Sequence, residues 1–214
     1  MIQSTQTSDR PRGRPLETGH QDLRAQILDT AEEFFSNLGY AATSIRRIAE
    51  KADVNPALVH YYFGNKKSLL QTVMERALEP LVHAIAAMKN GPDSSPEIIA
   101  RLLLSMVAEH PNIPRLMIRE VLLPGGEMQQ YFTDNLAPHL GGALPALLDS
   151  EKTAGRMRED SDPAISAVLI LSMCVFPFVA RTLAEPLLGI EFDEDGIELL
   201  NQQVSKLLTQ GMTK

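Results

Sequence analysis

Apolar residues return every three or four positions along most of this 214-residue chain. That is the period of an amphipathic helix, and no stretch sustains the alternation of a half-buried strand. Leu23, Ile27, Ala31, Phe34, Phe35 and Leu38 define a first helix that Gly39 ends. Ile45, Ile48, Ala49 and Ala52 form the inner face of a second, with Arg46, Arg47, Glu50 and Lys51 outward and Thr43 or Ser44 as its cap. Asn55 followed by Pro56 starts a third helix, an N-cap side chain and then proline at the first helical position, which Gly64-Asn65 stops. From Lys66 a long helix runs through Leu69, Val73, Ala77 and Leu81 to about Met88. Further helices are expected over Pro96–Glu109, Pro114–Leu122, Met128–Leu148, Pro163–Leu187 and Asp193–Thr209, and the short breaks between them predict an all-α bundle.

Composition adds limits. With 44% hydrophobic and 22% charged residues the chain is ordinary globular material, long enough for a small domain joined to a larger one. Its single cysteine, Cys174, excludes an intramolecular disulfide or a thiolate metal cluster, and within an apolar run it reads as an inert thiol. The N-terminus lacks the apolar core of a secretory signal, so a reducing cytoplasm is the expected setting. The uncharged run from Ala164 to Ala180 sits at the lower length limit for crossing a bilayer and contains Pro177; it reads as a buried helix, with no membrane contact expected. Charge divides unevenly: residues 1–76 carry a net +1 and the remainder −8. Any nucleic-acid contact therefore belongs to the N-terminal third.

In that third, "NPALVHYYFGNKKSLL" places Tyr61, Tyr62 and Phe63 together in a chain with only four tyrosines and seven phenylalanines. Helical spacing puts Val59 and Phe63 on the packed face and Pro56, Ala57, His60 and Tyr61 away from it, with Tyr62 between. Two short helices and a tight turn have the order and length of a helix-turn-helix, whose second helix enters the major groove. Ala57 permits close approach there. His60 and Tyr61 can donate to base edges or phosphates, while Lys66, Lys67, the Thr43 hydroxyl and the amides opening the second helix can meet phosphates.

The stretch "TSIRRIAEKADVNPALVHYYFGNKKSLL" resembles the DNA-binding signature of the tetracycline-repressor (TetR) family of bacterial transcriptional regulators. Thr43, Ile48, Ala49, Ala52, Val54, Phe63, Lys66 and Leu69 fall in register, and the likeness covers about Ala25 to Leu70. Asn55, Val59, His60, Tyr62 and Lys67 depart from the usual residues, so the operator sequence cannot be borrowed from relatives. The resemblance implies a helix-turn-helix DNA-binding domain over residues 20–66 and a larger helical ligand-binding and dimerisation domain over 67–214. It implies phosphate contacts from Thr43, Asn55, Tyr61 and Lys66 and base contacts from Pro56, Ala57 and His60, with Tyr62 able to serve either DNA or the core. A homodimer on a palindromic operator in double-stranded DNA would follow, its interface built by the last two helices. A small-molecule effector would release it; control by a protein partner, or by no effector, is the alternative.

"PRGRP", Pro11 to Pro15, lies in a basic arm expected to be flexible over residues 1–19. Arg12 and Arg14 flank a glycine as in the core of an AT-hook, suited to a narrow minor groove, though a solubilising tail reads equally well. The C-terminal two-thirds shows no nucleophile, acid–base or metal-binding pattern, so neither an enzyme nor a cofactor is expected. What it offers is methionine. Met88, Met106, Met117 and Met173, with Phe176, can fill ordinary core or line a pocket for an apolar or amphipathic molecule. Arg119 and Glu120 can orient a polar group there or simply pair with each other at the surface.

Overall fold

The structure, a computed structural model, describes residues 16–89, 91 and 94–213, with side chains from residue 21 onward. Arg12 and Arg14 lie outside the described residues. Among the described residues eleven α-helices run in chain order and there is no strand.

The first three helices and the start of the fourth form the N-terminal unit. Helix α1, Leu16–Leu38, begins inside the stretch expected to be arm, so residues 16–19 are helical. It buries Ile27, Leu28, Ala31 and Phe35, and Gly39 leaves it at φ 83°, where a side chain would be strained. Helix α2, Ile45–Lys51, is capped by Ser44, whose hydroxyl accepts from the amide of Arg47. Helix α3, Pro56–Phe63, opens as the Asn-Pro pair predicts: the Asn55 Oδ1 accepts from the Ala57 amide at 2.8 Å. Val59 and Phe63 are buried against α1, α2 and α4. Gly64 ends α3 at φ 74°, and Asn65 caps α4, Lys66–Met88, through the Ser68 amide.

Helix α4 spans both halves, packing on α1 at one end and on α5, Pro96–Glu109, further along. In the larger half, α5 lies centrally against α9, Pro163–Val179, and α11, Glu194–Met212, while α8, Leu144–Thr153, covers α9.

Three expected helices differ in form. Helix α6, Ile113–Met117, widens into a π-helical turn over Ile118–Leu122. The helix expected over Met128–Leu148 is broken: α7, Gln129–Tyr131, passes into a second π-helical turn, Phe132–Leu136, then irregular turns, before α8 begins. Pro138 and the glycines at 141 and 142 interrupt the helical pattern there. The long apolar helix is bent by 76° between α9 and α10, Arg181–Leu188. No single described helix is long and apolar enough to cross a membrane, although this bent pair together has the length and composition.

Candidate nucleic-acid interface and effector cavity

The face of α3 turned from the core is open. Pro56, Ala57, His60 and Tyr61 are exposed, Tyr61 at 79%, so the helix presents a small residue near its start and two polar rings beyond it. Tyr62 is half-buried, meeting the rings of Tyr61 and Phe63 edge-on, and it packs against the core.

The His60 ring has a defined proton. Its Nδ1 lies 2.8 Å from the carbonyl of Gly64, which can only accept, so Nδ1 donates. In the neutral ring Nε2 is therefore an acceptor, whereas the reading from helical spacing had His60 as a donor. Acceptors in the major groove pair with the amino groups of adenine and cytosine.

Two residues expected on phosphates are engaged inside the domain instead. Thr43 is 1% exposed and its hydroxyl donates to the Gly39 carbonyl at 2.8 Å, tying the entry of α2 to the exit of α1. Lys66 places its ammonium on the carbonyls of Tyr40 and Thr43, at 2.8 and 2.9 Å, and 4.1 Å from the centre of the Tyr40 ring. Two of its three protons are committed to the α1–α2 turn. Ser44 and Arg47 are exposed at the opening of α2, beside the buried Thr43. Lys67 pairs with Glu127 at 2.8 Å, and this pairing holds its pKa above the usual lysine range.

The larger half contains a cavity of about 600 Å³ between α4, α5, α6, α9 and the segment after α7. Met106, Met117 and Phe176 line it, as do Ile118, Leu122 and Phe132 from the two π-helical turns. Met88 and Met173 are not among the lining residues; both pack into the core. Cys174 lies beside α5, and burial pushes its thiol up to about 12.

Arg119 does not face the cavity. Its guanidinium donates to the carbonyls of Asn37 at 2.9 Å and Leu38 at 2.8 Å, closing the last turn of α1. The neighbouring Glu120, 6% exposed, accepts from the Tyr40 amide at 2.8 Å. The surface pair between these residues, weighed from sequence, gives way to a two-point attachment of the π-helical turn to the α1–α2 junction. Further links run nearby. Arg115 donates to Asn37, and Arg76 joins Asp29 and Glu32, with Glu32 also meeting His110. Tyr131 donates to Glu75 on α4; burial, and then that carboxylate, push its phenol up to about 12. Tyr40 carried no sequence signal, because it belongs to no periodic apolar face, and nothing local pointed from Glu120 to its amide.

These features define a helix-turn-helix DNA-binding protein whose second helical domain holds an apolar cavity open to the surface on one side. Residues 27–73 match the family model described as bacterial regulatory proteins of the TetR family. Residues 93–212, more than half of the chain, match the C-terminal domain of the HTH-type transcriptional dual regulator CecR. The chain belongs to the TetR family of transcriptional regulators, and its larger domain is of the CecR C-terminal type.

Among curated proteins it is 33% identical over 116 residues to the HTH-type transcriptional repressor Rv3405c of Mycobacterium tuberculosis strain H37Rv, covering 49% of this chain and 62% of that one. Among solved structures it resembles the ketosteroid transcriptional regulator KstR2 of Mycobacterium tuberculosis, with a TM-score of 0.70 at 17% identity over 89% of this chain and 95% of that one. It also resembles the regulator FadR of Bacillus subtilis in complex with stearoyl-CoA, with a TM-score of 0.64 at 19% identity over 87% and 98%. At these identities the two structures speak for the fold alone.

Proposed function

We propose that this TetR-family regulator is a homodimeric repressor, released from a palindromic operator when a small apolar or amphipathic molecule occupies the cavity of the larger domain. Residues 20–66 would form the DNA-binding domain and 67–214 the regulatory one. The observation that carries this reading is the double duty of one turn: within Ile118–Leu122, Ile118 and Leu122 line the cavity while Arg119 and Glu120 hold Leu38 and Tyr40. A molecule pressing on this wall must act on the same backbone that positions the helix-turn-helix. If it binds best where that attachment has shifted, operator affinity falls by the ratio of its affinities for the two arrangements. The stearoyl-CoA in the Bacillus subtilis FadR structure and the word repressor in the name of Rv3405c support ligand control and repression by analogy.

The dimer rests on apolar surface. Ile165, Leu169 and Phe176 form an exposed row along α9, continued by Leu183 and Leu187 on α10 and by Leu199 and Leu207 on α11. Exposed apolar surface of this extent asks for a partner. A second copy also supplies the second recognition helix that useful affinity needs.

The test is a polarisation assay on DNA flanking the protein's own gene, with a panel of apolar small molecules added to the bound complex. Specific, two-fold symmetric binding relieved by at least one compound is expected. Binding that no compound affects, together with no compound raising the melting temperature, would overturn ligand control.

A further inference from the structure

We propose that the cavity accepts uncharged apolar molecules and rejects any that must carry an ionised group inside; this rests on the effector reading above and narrows it to a chemical class. The cavity, at about 600 Å³, suits a ligand of ordinary small-molecule size. Among the described residues lining it, Ser172 alone has a polar side chain, and its hydroxyl already donates to the Val168 carbonyl at 2.8 Å. Among the described residues, no lysine, arginine, histidine or carboxylate contributes to the wall. An ion entering would lose its hydration and find no countercharge, a penalty that an apolar wall cannot offset.

Charged residues on the wall's π-helical turn are already engaged, whereas Glu79 and His139, next in sequence to the lining Leu78 and Leu140, are exposed and do not line the cavity. Arg119 and Glu120, on the same turn as Ile118 and Leu122, are bonded to α1 and the Tyr40 amide. Tyr131, beside Phe132, is bonded to Glu75. Recruiting any of them would first unfasten the two halves. The exposed members of the lining, Leu122, Phe176, Ser172 and the glycines at 141 and 142, mark the opening, and none of these residues is charged.

The test uses the full chain and two probes that share a skeleton. N-phenylnaphthylamine is neutral, and anilinonaphthalene sulfonate carries one sulfonate. Fluorescence titration should give at least about tenfold tighter binding of the neutral probe. Val175→Phe, which intrudes on the wall, should weaken that binding while the thermal transition stays cooperative. Leu122→Arg, a substitution at an exposed position of the rim, should tighten the sulfonate probe several-fold and narrow the gap. Equal affinity for the two probes would overturn the charge rule and leave ligand control standing. Neutral-probe binding indifferent to Val175→Phe would place the probe elsewhere and also overturn it. If neither probe binds, the effector reading fails and takes this inference with it.

Discussion

Arg119 Nη2 donates to the carbonyl of Leu38 at 2.8 Å, so a side chain of the larger half caps a helix of the N-terminal helix-turn-helix unit. The guanidinium fills the space beside Gly39: a Cβ there would stand 2.5 Å from Arg119 Nη2. Helix end and cap are thus fitted to each other across the two domains.

Arg119→Ala leaves carbonyls of α1 without this donor and should cost about 1–2 kcal/mol of stability. Because it touches neither DNA nor cavity, operator affinity without effector should change little, while the effector's power to weaken operator binding should fall several-fold. Operator titrations with and without a releasing compound measure both, and an unchanged effector response would show that coupling runs elsewhere.

Gly39→Ala meets two obstacles, the positive φ of 83° and the Arg119 guanidinium. A loss of about 1–3 kcal/mol in urea unfolding is expected. Arg119→Ala in the same chain should recover part of it, because the steric part of the penalty goes with the guanidinium.

His60→Ala removes the exposed Nε2 acceptor of α3 and should weaken the specific operator by about 1–3 kcal/mol, with little effect on unrelated DNA. Lys66→Ala should behave differently. Its ammonium serves the Tyr40 and Thr43 carbonyls, so the melting temperature should drop while the salt slope of binding stays at the wild-type value, instead of falling by about one unit as loss of a phosphate contact would require. A reduced slope with an unchanged melting temperature would return Lys66 to the phosphates.

Glu151 is 2% exposed and takes two hydrogen bonds from Arg156 and one from the Ser94 amide. Chiefly the Arg156 guanidinium holds its carboxyl below the ordinary 4.5. A depressed carboxylate pKa contributes stability that is fully present above the unfolded value and is lost as pH falls through the folded one. The melting-temperature gap between wild type and Glu151→Gln should therefore be widest above about pH 5.5 and shrink as acid is added below about pH 4.5.

The recognition unit was legible because its signals are local. Asn55-Pro56, Gly64-Asn65 and the spacing of Val59 and Phe63 concern atoms within a few residues of one another, and α3 and the start of α4 stand where those signals put them. The cavity was legible only in part. Met106, Met117 and Phe176 line it, whereas Met88 and Met173 join the core, since methionine suits either place and periodicity does not say which apolar face meets a void.

The sequence by itself determined the helical class, the helix-turn-helix, its caps and its outward face, because helix period and capping depend on neighbours three or four residues apart. Only the tertiary structure decided what the long and polar side chains do. Thr43 turned inward, Lys66 settled on Tyr40, and Arg119 reached Leu38, a residue 81 positions earlier. A half-buried donor takes whichever acceptor packing brings within about 3 Å, and that choice is made by the assembled helices, not by the residues beside it.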